Sequence, residues 1–117
     1  MPAPAAADPS AVVAAFQRAW DAHDLEAALA LVTDDCVFDA TTPPDGRRHA
    51  GKAALRAAWA PIFADAASRF AVEERFAAGD RVVQRWRYDW GGGHVRGVDL
   101  FRVRDGLVAE KLSYAKG

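Results

Sequence analysis

From Val12 onward, apolar residues recur three and four positions apart: Val12, Val13, Phe16, Ala19 and Trp20. That spacing puts them on one side of a helix. Asp8-Pro9 just ahead offers a capping residue and a proline suited to a first helical turn. A second helix is expected from Asp24, with Leu25, Ala28, Leu29 and Val32 as its stripe. Cys36–Ala40 reads as a short strand. Thr41–Arg48 holds Pro-Pro and Asp-Gly and reads as a loop. A third helix is expected over about Lys52–Ala66, with Leu55, Trp59, Ile62 and Phe63 on one side. Pro61 within it should kink or restart it.

Past Phe70 the period changes to two. Phe70–Ala77, Val82–Trp90, His94–Arg104 and Leu107–Tyr114 alternate as strands, separated by Gly79-Asp80, Gly91-Gly92-Gly93 and Arg104-Asp105-Gly106. Helices followed by a run of antiparallel strands define an α+β class, not a doubly wound parallel sheet. The glycine triplet joins two strands and lacks the helix that would bind a phosphate.

One acid interrupts the strand pattern. Val95, Gly97, Asp99, Phe101 and Val103 share a face, and the middle member is a carboxylic acid. A carboxylate on an apolar face costs several kcal/mol, by order of magnitude, unless it is paired or protonated. Asp99 is therefore either a structural ion-pair member or a group tuned for chemistry. The neighbouring strand puts Val82, Gln84, Trp86, Tyr88 and Trp90 on one face, the wall of a bulky core or of a pocket. Gln84, Tyr88 and Asp99 would be that pocket's convergent polar groups. The hairpin register decides the partner of Asp99. With a three-residue loop, Val103 meets Leu107 and Asp99 faces Lys111; this register is the expected one. With a two-residue turn, Arg104 meets Leu107, Asp99 faces Leu112, and Lys111 points outward.

The chain has 117 residues, 51% of them hydrophobic, enough for one domain with a real core. Residues 8–117 are expected to form it, behind a flexible leader at 1–7 that lacks the basic start of a signal peptide. Charge breaks every apolar stretch, so no membrane span is expected. The expected location is the cytoplasm. Residues 1–46 carry eight acids against one base, Arg18, and the remainder fourteen bases against eight acids. The arginines alternate with apolar residues, as in Arg85-Trp86-Arg87, so a solvated sheet face is expected rather than a nucleic-acid surface. The arginine and alanine bias suggests a GC-rich bacterial genome. Cys36 is the single cysteine, read as a small buried hydrophobe. His23, His49 and His94 have no ligand spacing, so no metal site is expected.

Three stretches, VVAAFQRAWDAHDLEAALALVTDDCVFD, HAGKAALRAAW and VRGVDLFRVRDGLVAEKLSY, resemble the nuclear transport factor 2-like superfamily, in particular its SnoaL-like and ketosteroid-isomerase-like branch. The resemblance implies a cone-shaped curved antiparallel sheet wrapped around the N-terminal helices, an apolar pocket, and often a dimer. It aligns Asp99 with the acid that ketosteroid isomerases keep protonated to donate to an oxyanion, and with an acid/base Asp in SnoaL-like cyclases. Ala40 falls where isomerases carry their general base, with Asp39 beside it pointing the other way. Phe16 and Trp59 fall where they carry tyrosines. Steroid Δ5-isomerisation is therefore not expected. His49 falls near the pocket mouth of SnoaL-like chains.

Two functions follow as expectations. One is a cofactor-free acid/base enzyme (isomerase, cyclase, dehydratase or hydrolase type) on a small hydrophobic molecule. Asp99 would be its acid/base, and Lys111, Tyr88 or His49 would polarise an oxygen or relay a proton. Phe16, Trp20, Phe38, Trp59, Phe63, Gln84, Trp86, Trp90, Phe101 and Ser113 would bind substrate. The other is a non-catalytic ligand-binding or dimerisation module in which Asp99 and Lys111 form a structural ion pair. A homodimer is expected through a convex strip of Val98, Leu100, Leu112 and Tyr114.

Overall fold

A computed structural model describes residues 8–116; the leader expected at 1–7 lies outside the described residues. Helix α1 spans Pro9–Asp21, with proline in its first turn, and buries Val12, Val13, Phe16, Gln17, Ala19 and Trp20. Helix α2, Leu25–Ala30, starts where the Asp24 carboxylate accepts from the Ala27 amide at 3.0 Å. Helix α3, Lys52–Ala64, runs through Pro61 and stops two residues short of the expected end. Proline denies a hydrogen bond to the carbonyl four residues back. That residue, Ala57, is exposed, so water can take its carbonyl.

Six strands form one sheet: β1 Val32–Asp39, β2 Arg48–Ala50, β3 Arg69–Ala78, β4 Arg81–Asp89, β5 His94–Arg104 and β6 Leu107–Ala115. Their order is β2-β1-β6-β5-β4-β3. The sheet is mixed, not wholly antiparallel as expected, because β1 runs parallel to β6. Parallel pairing needs a long connection, and the whole chain between β1 and β6 provides one. Strand β1 also starts four residues earlier than expected. Exposed Asp34 and Asp35 hide it from alternation, and its register on β6 shifts between Val32 and Val37. Strand β2 lies at the end of the expected loop, too short to show a period.

The β5–β6 hairpin follows neither expected register. Asp105 (φ 55°) and Gly106 (φ 75°) form a two-residue turn, so Arg104 meets Leu107. The register then slips: Val103 meets Val108, but Arg102 meets Glu110, leaving Ala109 as an extra residue. Beyond this bulge Phe101 pairs with Lys111, Asp99 with Ser113 and Gly97 with Ala115. Lys111 and Ser113 therefore share the inner face with Asp99, although the turn alone would have sent Lys111 outward. A one-residue bulge at Glu73 also interrupts β3–β4, and the β1–β6 register breaks between Val32 and Val37; a bulge bends its strand and increases the twist.

The helices cover the inner face over one end of the sheet. Phe16 is fully buried there, its ring 5.8 Å from Trp20, 5.6 Å from Trp59 and 6.0 Å from Phe101. His23, after α1, is in a left-handed conformation (φ 55°) and joins two later segments. Its ring nitrogens lie 3.1 Å from the Phe63 carbonyl and 3.0 Å from the Ser68 carbonyl. Gly97 leaves room for a neighbour: a Cβ there would lie 2.3 Å from the Tyr114 carbonyl oxygen and 2.5 Å from the Trp86 ring.

Candidate functional site

Where the helices end, the inner face stays open over a cavity of about 440 Å³. Trp20 of α1, Ala58 and Ile62 of α3, and Phe38 of β1 wall one side. Phe70 of β3, Trp86 and Tyr88 of β4, and Val95 of β5 wall the other. His49, Ala40, Thr41 and Thr42 border it, and Lys111 and Ser113 of β6 supply its polar end. A volume of this size suits a drug-sized molecule, and apolar walls with a few polar groups are the usual make-up of such sites.

Lys111 is only 7% exposed, and Asp99 3%. The Lys111 Nζ lies 3.3 Å from Asp99 Oδ2 and donates to Ser113 Oγ at 3.0 Å. It also stands 5.0 Å from the ring centroids of both Trp20 and Phe38. Aromatic faces attract a cation, most strongly where water is excluded. Asp99 Oδ1 has no hydrogen-bond partner among the described residues. Asp99 itself does not line the cavity; it stands behind Lys111, which does. The cavity thus presents Lys111, with Asp99 as its counter-ion behind it.

Strand pairing places a row across the sheet: His49 opposite Phe38, Phe38 opposite Lys111, and Lys111 opposite Phe101. The His49 ring stacks on Phe38 at 5.7 Å and 17°. Two nitrogen-bearing side chains thus flank one phenyl ring. They sit two strands apart, about 10 Å by ordinary strand spacing.

Of the expected binding residues, Trp20, Phe38, Trp86 and Ser113 line the cavity, as do Tyr88 and His49. Phe16, Trp59, Phe63 and Phe101 pack in the core beneath it. Gln84 is fully buried and reaches α1 instead. Its amide donates to Gln17 Oε1 at 2.8 Å and its carbonyl accepts from Arg75 Nε at 2.8 Å. Gln17 continues this chain to Asp21 at 2.9 Å, so four polar side chains tie α1 to the sheet. Trp90 is 43% exposed beyond the cavity, at the glycine-rich hairpin. Phe70, Ile62, Ala58, Val95 and Ala40–Thr42 line the cavity without having been expected there. Phe70 sits in a strand of mostly exposed residues, which gives alternation little contrast.

Burial pushes the Cys36 thiol up to about 12, with the Asp35 charge adding to it. It is a packed hydrophobe at ordinary pH. Among the described residues, no three His, Cys, Asp or Glu side chains gather as metal ligands. No described helix is long and apolar enough to cross a membrane.

An α+β cone whose cavity holds a buried cation at its polar end defines the class to which comparison with known proteins adds a family. Residues 13–111 match the SnoaL-like domain, and the chain belongs to that family. An NTF2-like protein of unknown function from Mesorhizobium loti is 39% identical, with a TM-score of 0.87 over 100% of this chain and 98% of that one. A Mycobacterium tuberculosis protein, solved in complex with estradiol-17β-hemisuccinate, is 29% identical over 91% of this chain and 92% of its own, with a TM-score of 0.76. A computationally designed 17-OHP binder is 30% identical over 91% and 89%, with a TM-score of 0.78. No curated protein matches the sequence.

Proposed function

We propose that this chain binds a small, largely apolar molecule carrying a carbonyl or ionised oxygen, and performs cofactor-free acid/base chemistry on it. The observation that carries this reading is the Lys111–Asp99 pair buried at the polar end of an apolar cavity. Lys111 meets the substrate oxygen. Asp99 acts through Lys111, holding it and exchanging a proton with it. His49 and Tyr88, on the same cavity, are the further proton carriers. The steroid ligand of the M. tuberculosis neighbour and the designed binder support an apolar, ring-bearing ligand. Ala40 lines the cavity where an isomerase's base would stand, which argues against steroid Δ5-isomerisation.

The test is a screen of apolar ketones, enols, epoxides and esters against the wild type, Lys111→Met and Asp99→Asn. Binding is followed by tryptophan fluorescence, since Trp20 and Trp86 line the cavity. The expected result is turnover by the wild type that both variants lose, with binding retained in Asp99→Asn. Turnover that survives Lys111→Met refutes the assignment.

A second reading is a binder without chemistry, favoured by the retreat of Asp99 from the cavity wall. It predicts ligand binding with no turnover of any compound, and unchanged affinity once the pair is replaced by apolar residues.

We also propose that a second copy of the chain covers the outer sheet face. Phe76, Val83, Leu100 and Leu112 lie in register across four strands there. Two of the arginines around them are paired, Arg85 with Glu74 and Arg102 with Glu110, while Arg81 has no ion-pair partner among the described residues. The patch is therefore apolar with a partly neutralised polar rim, which suits a copy of itself.

A further inference from the structure

We infer that Lys111 forms an imine with a ketone or aldehyde held in the cavity, so that the substrate class is a hydrophobic carbonyl compound activated covalently. The inference rests on the reading above, that the cavity takes an apolar carbonyl-bearing molecule.

The chain has three lysines, Lys52, Lys111 and Lys116. Lys52 is 40% exposed and pairs with Asp34 at 3.7 Å, and Lys116 is exposed. Lys111 alone lines the apolar cavity. Its ammonium has three protons. Ser113 Oγ takes one, and Asp99 Oδ2 stands 3.3 Å away as the counter-ion, which leaves the ammonium free to donate to a carbonyl oxygen arriving from the cavity.

Nucleophilic attack needs the free amine, so one proton must leave Lys111 first. Asp99 stands at 3.3 Å to take it. Its second oxygen is unpartnered, so no donor among the described residues holds that oxygen as a carboxylate. Proton transfer turns a buried ion pair into two neutral groups, which an apolar setting tolerates. The Lys111 amine then adds to the carbonyl carbon, forming the C–N bond, while the C=O π pair moves onto oxygen. Ser113 Oγ, 3.0 Å from Nζ, is placed to pass the surplus amine proton to that oxygen. The proton held by Asp99 returns through Nζ and Ser113 Oγ to the resulting hydroxyl, which becomes leaving water. The C–O bond breaks, the nitrogen lone pair closes the C=N bond, and Asp99 is a carboxylate again. In balance, ammonium plus carbonyl gives iminium plus water, with no redox change.

The charge on nitrogen is the same at the start and the end. The Asp99 counter-ion and the two aromatic rings at 5.0 Å therefore serve the iminium as they serve the ammonium. An iminium draws electrons from the adjacent carbon and acidifies its C–H. That supplies the activation which proton donors to an oxyanion would otherwise provide, in a cavity where Ala40 contributes only a methyl group.

The experiment is reductive trapping. The intact protein is incubated with 2-naphthaldehyde and sodium cyanoborohydride, and the peptides are mapped by mass spectrometry. Lys52 and Lys116 serve as internal controls. The expected result is an adduct forming first on Lys111, slowed about a hundredfold in Asp99→Asn, as for loss of an acid/base partner. Thermal melts establish that the Asp99→Asn variant is folded. Where it is not, Ser113→Ala replaces it, with a smaller slowing expected. Labelling of Lys52 and Lys116 with Lys111 unmodified overturns the inference. Naphthalene-2-methanol, which cannot form an imine, separates the two levels. If it quenches tryptophan fluorescence while Lys111 stays unlabelled, the imine falls and the binding reading stands. If neither occurs, both fall.

Discussion

Replacing Lys111 by methionine isolates the energetics of the buried pair. Methionine keeps an unbranched chain between the Trp20 and Phe38 rings, where its sulfur packs well against aromatics. Little of the effect will come from lost volume. What remains is the Asp99 carboxylate, whose side chain is 5% exposed. Oδ1 already has no partner, and Oδ2 loses the only cation within 4 Å of it among the described residues. Stranding one member of such a pair costs about 3–5 kcal/mol. Asp99→Asn is milder, about 1–3 kcal/mol, because the ammonium left behind keeps Ser113 Oγ and the Trp20 and Phe38 rings as partners. Removing both charges, as Lys111→Met with Asp99→Leu, should bring stability back to within about 1 kcal/mol of the wild type, or above it. The assay is urea unfolding at neutral pH, read by tryptophan fluorescence and circular dichroism. At slopes typical of small domains, Lys111→Met should lower the midpoint by about 2 M. A loss below about 1 kcal/mol for Lys111→Met, or a double variant as unstable as that single one, would refute the view of Asp99 as a desolvated charge held by one lysine.

Gly97→Ala should destabilise by about 1–3 kcal/mol, because its methyl group would meet backbone and an indole ring that cannot both retreat; urea midpoints measure this. Cys36 should resist thiol reagents in the native protein and react once it unfolds, which a chromogenic disulfide assay reads. The unfolded thiol gives up its proton near the usual 9.0 and the folded one near 12, so the unfolded state binds fewer protons between those values. Stability should therefore fall as pH rises through that window, by up to about 4 kcal/mol, and Cys36→Ala should remove the slope. Leu100→Asp should yield a monomer by light scattering at micromolar concentration, where the wild type is expected to be a dimer; a monomeric wild type ends the interface proposal.

Helical stripes and strand alternation made most of the elements legible, because each such face packs against a neighbour of the same period. What stayed hidden lacks a period. Strand β2 is three residues long, β1 carries two exposed acids in its middle, and the parallel β1–β6 pairing is a matter of topology rather than pattern. For the site, alternation told face but not depth. Along β4, Val82 and Gln84 lie buried under α1, Trp86 and Tyr88 reach the cavity, and Trp90 passes beyond it, although all five share one face. Where α1 and α3 stop decides among these fates, and no strand sequence records that. Lys111 was expected inside by way of a three-residue loop. It reaches the inner face through a two-residue turn followed by a bulge, since either device adds the one residue that parity requires.

That extra residue, Ala109, makes the end of the chain unequally tolerant of change in length. Deleting Ala109 would regularise the ladder and leave Lys111 and Ser113 opposite the residues they face now. Deleting Glu110 instead would do the same, with Ala109 taking its place opposite Arg102. A second residue lost here would exchange the two sides of all that follows, sending Lys111 and Ser113 to solvent and Leu112 and Tyr114 inward. The first codon lost from this stretch is thus silent, and the second turns a cavity with a cation into one without. Relatives that differ here by one residue beyond what the bulge absorbs would have opposite chemistry at the polar end while keeping the same fold, and aligned letters alone would not reveal it.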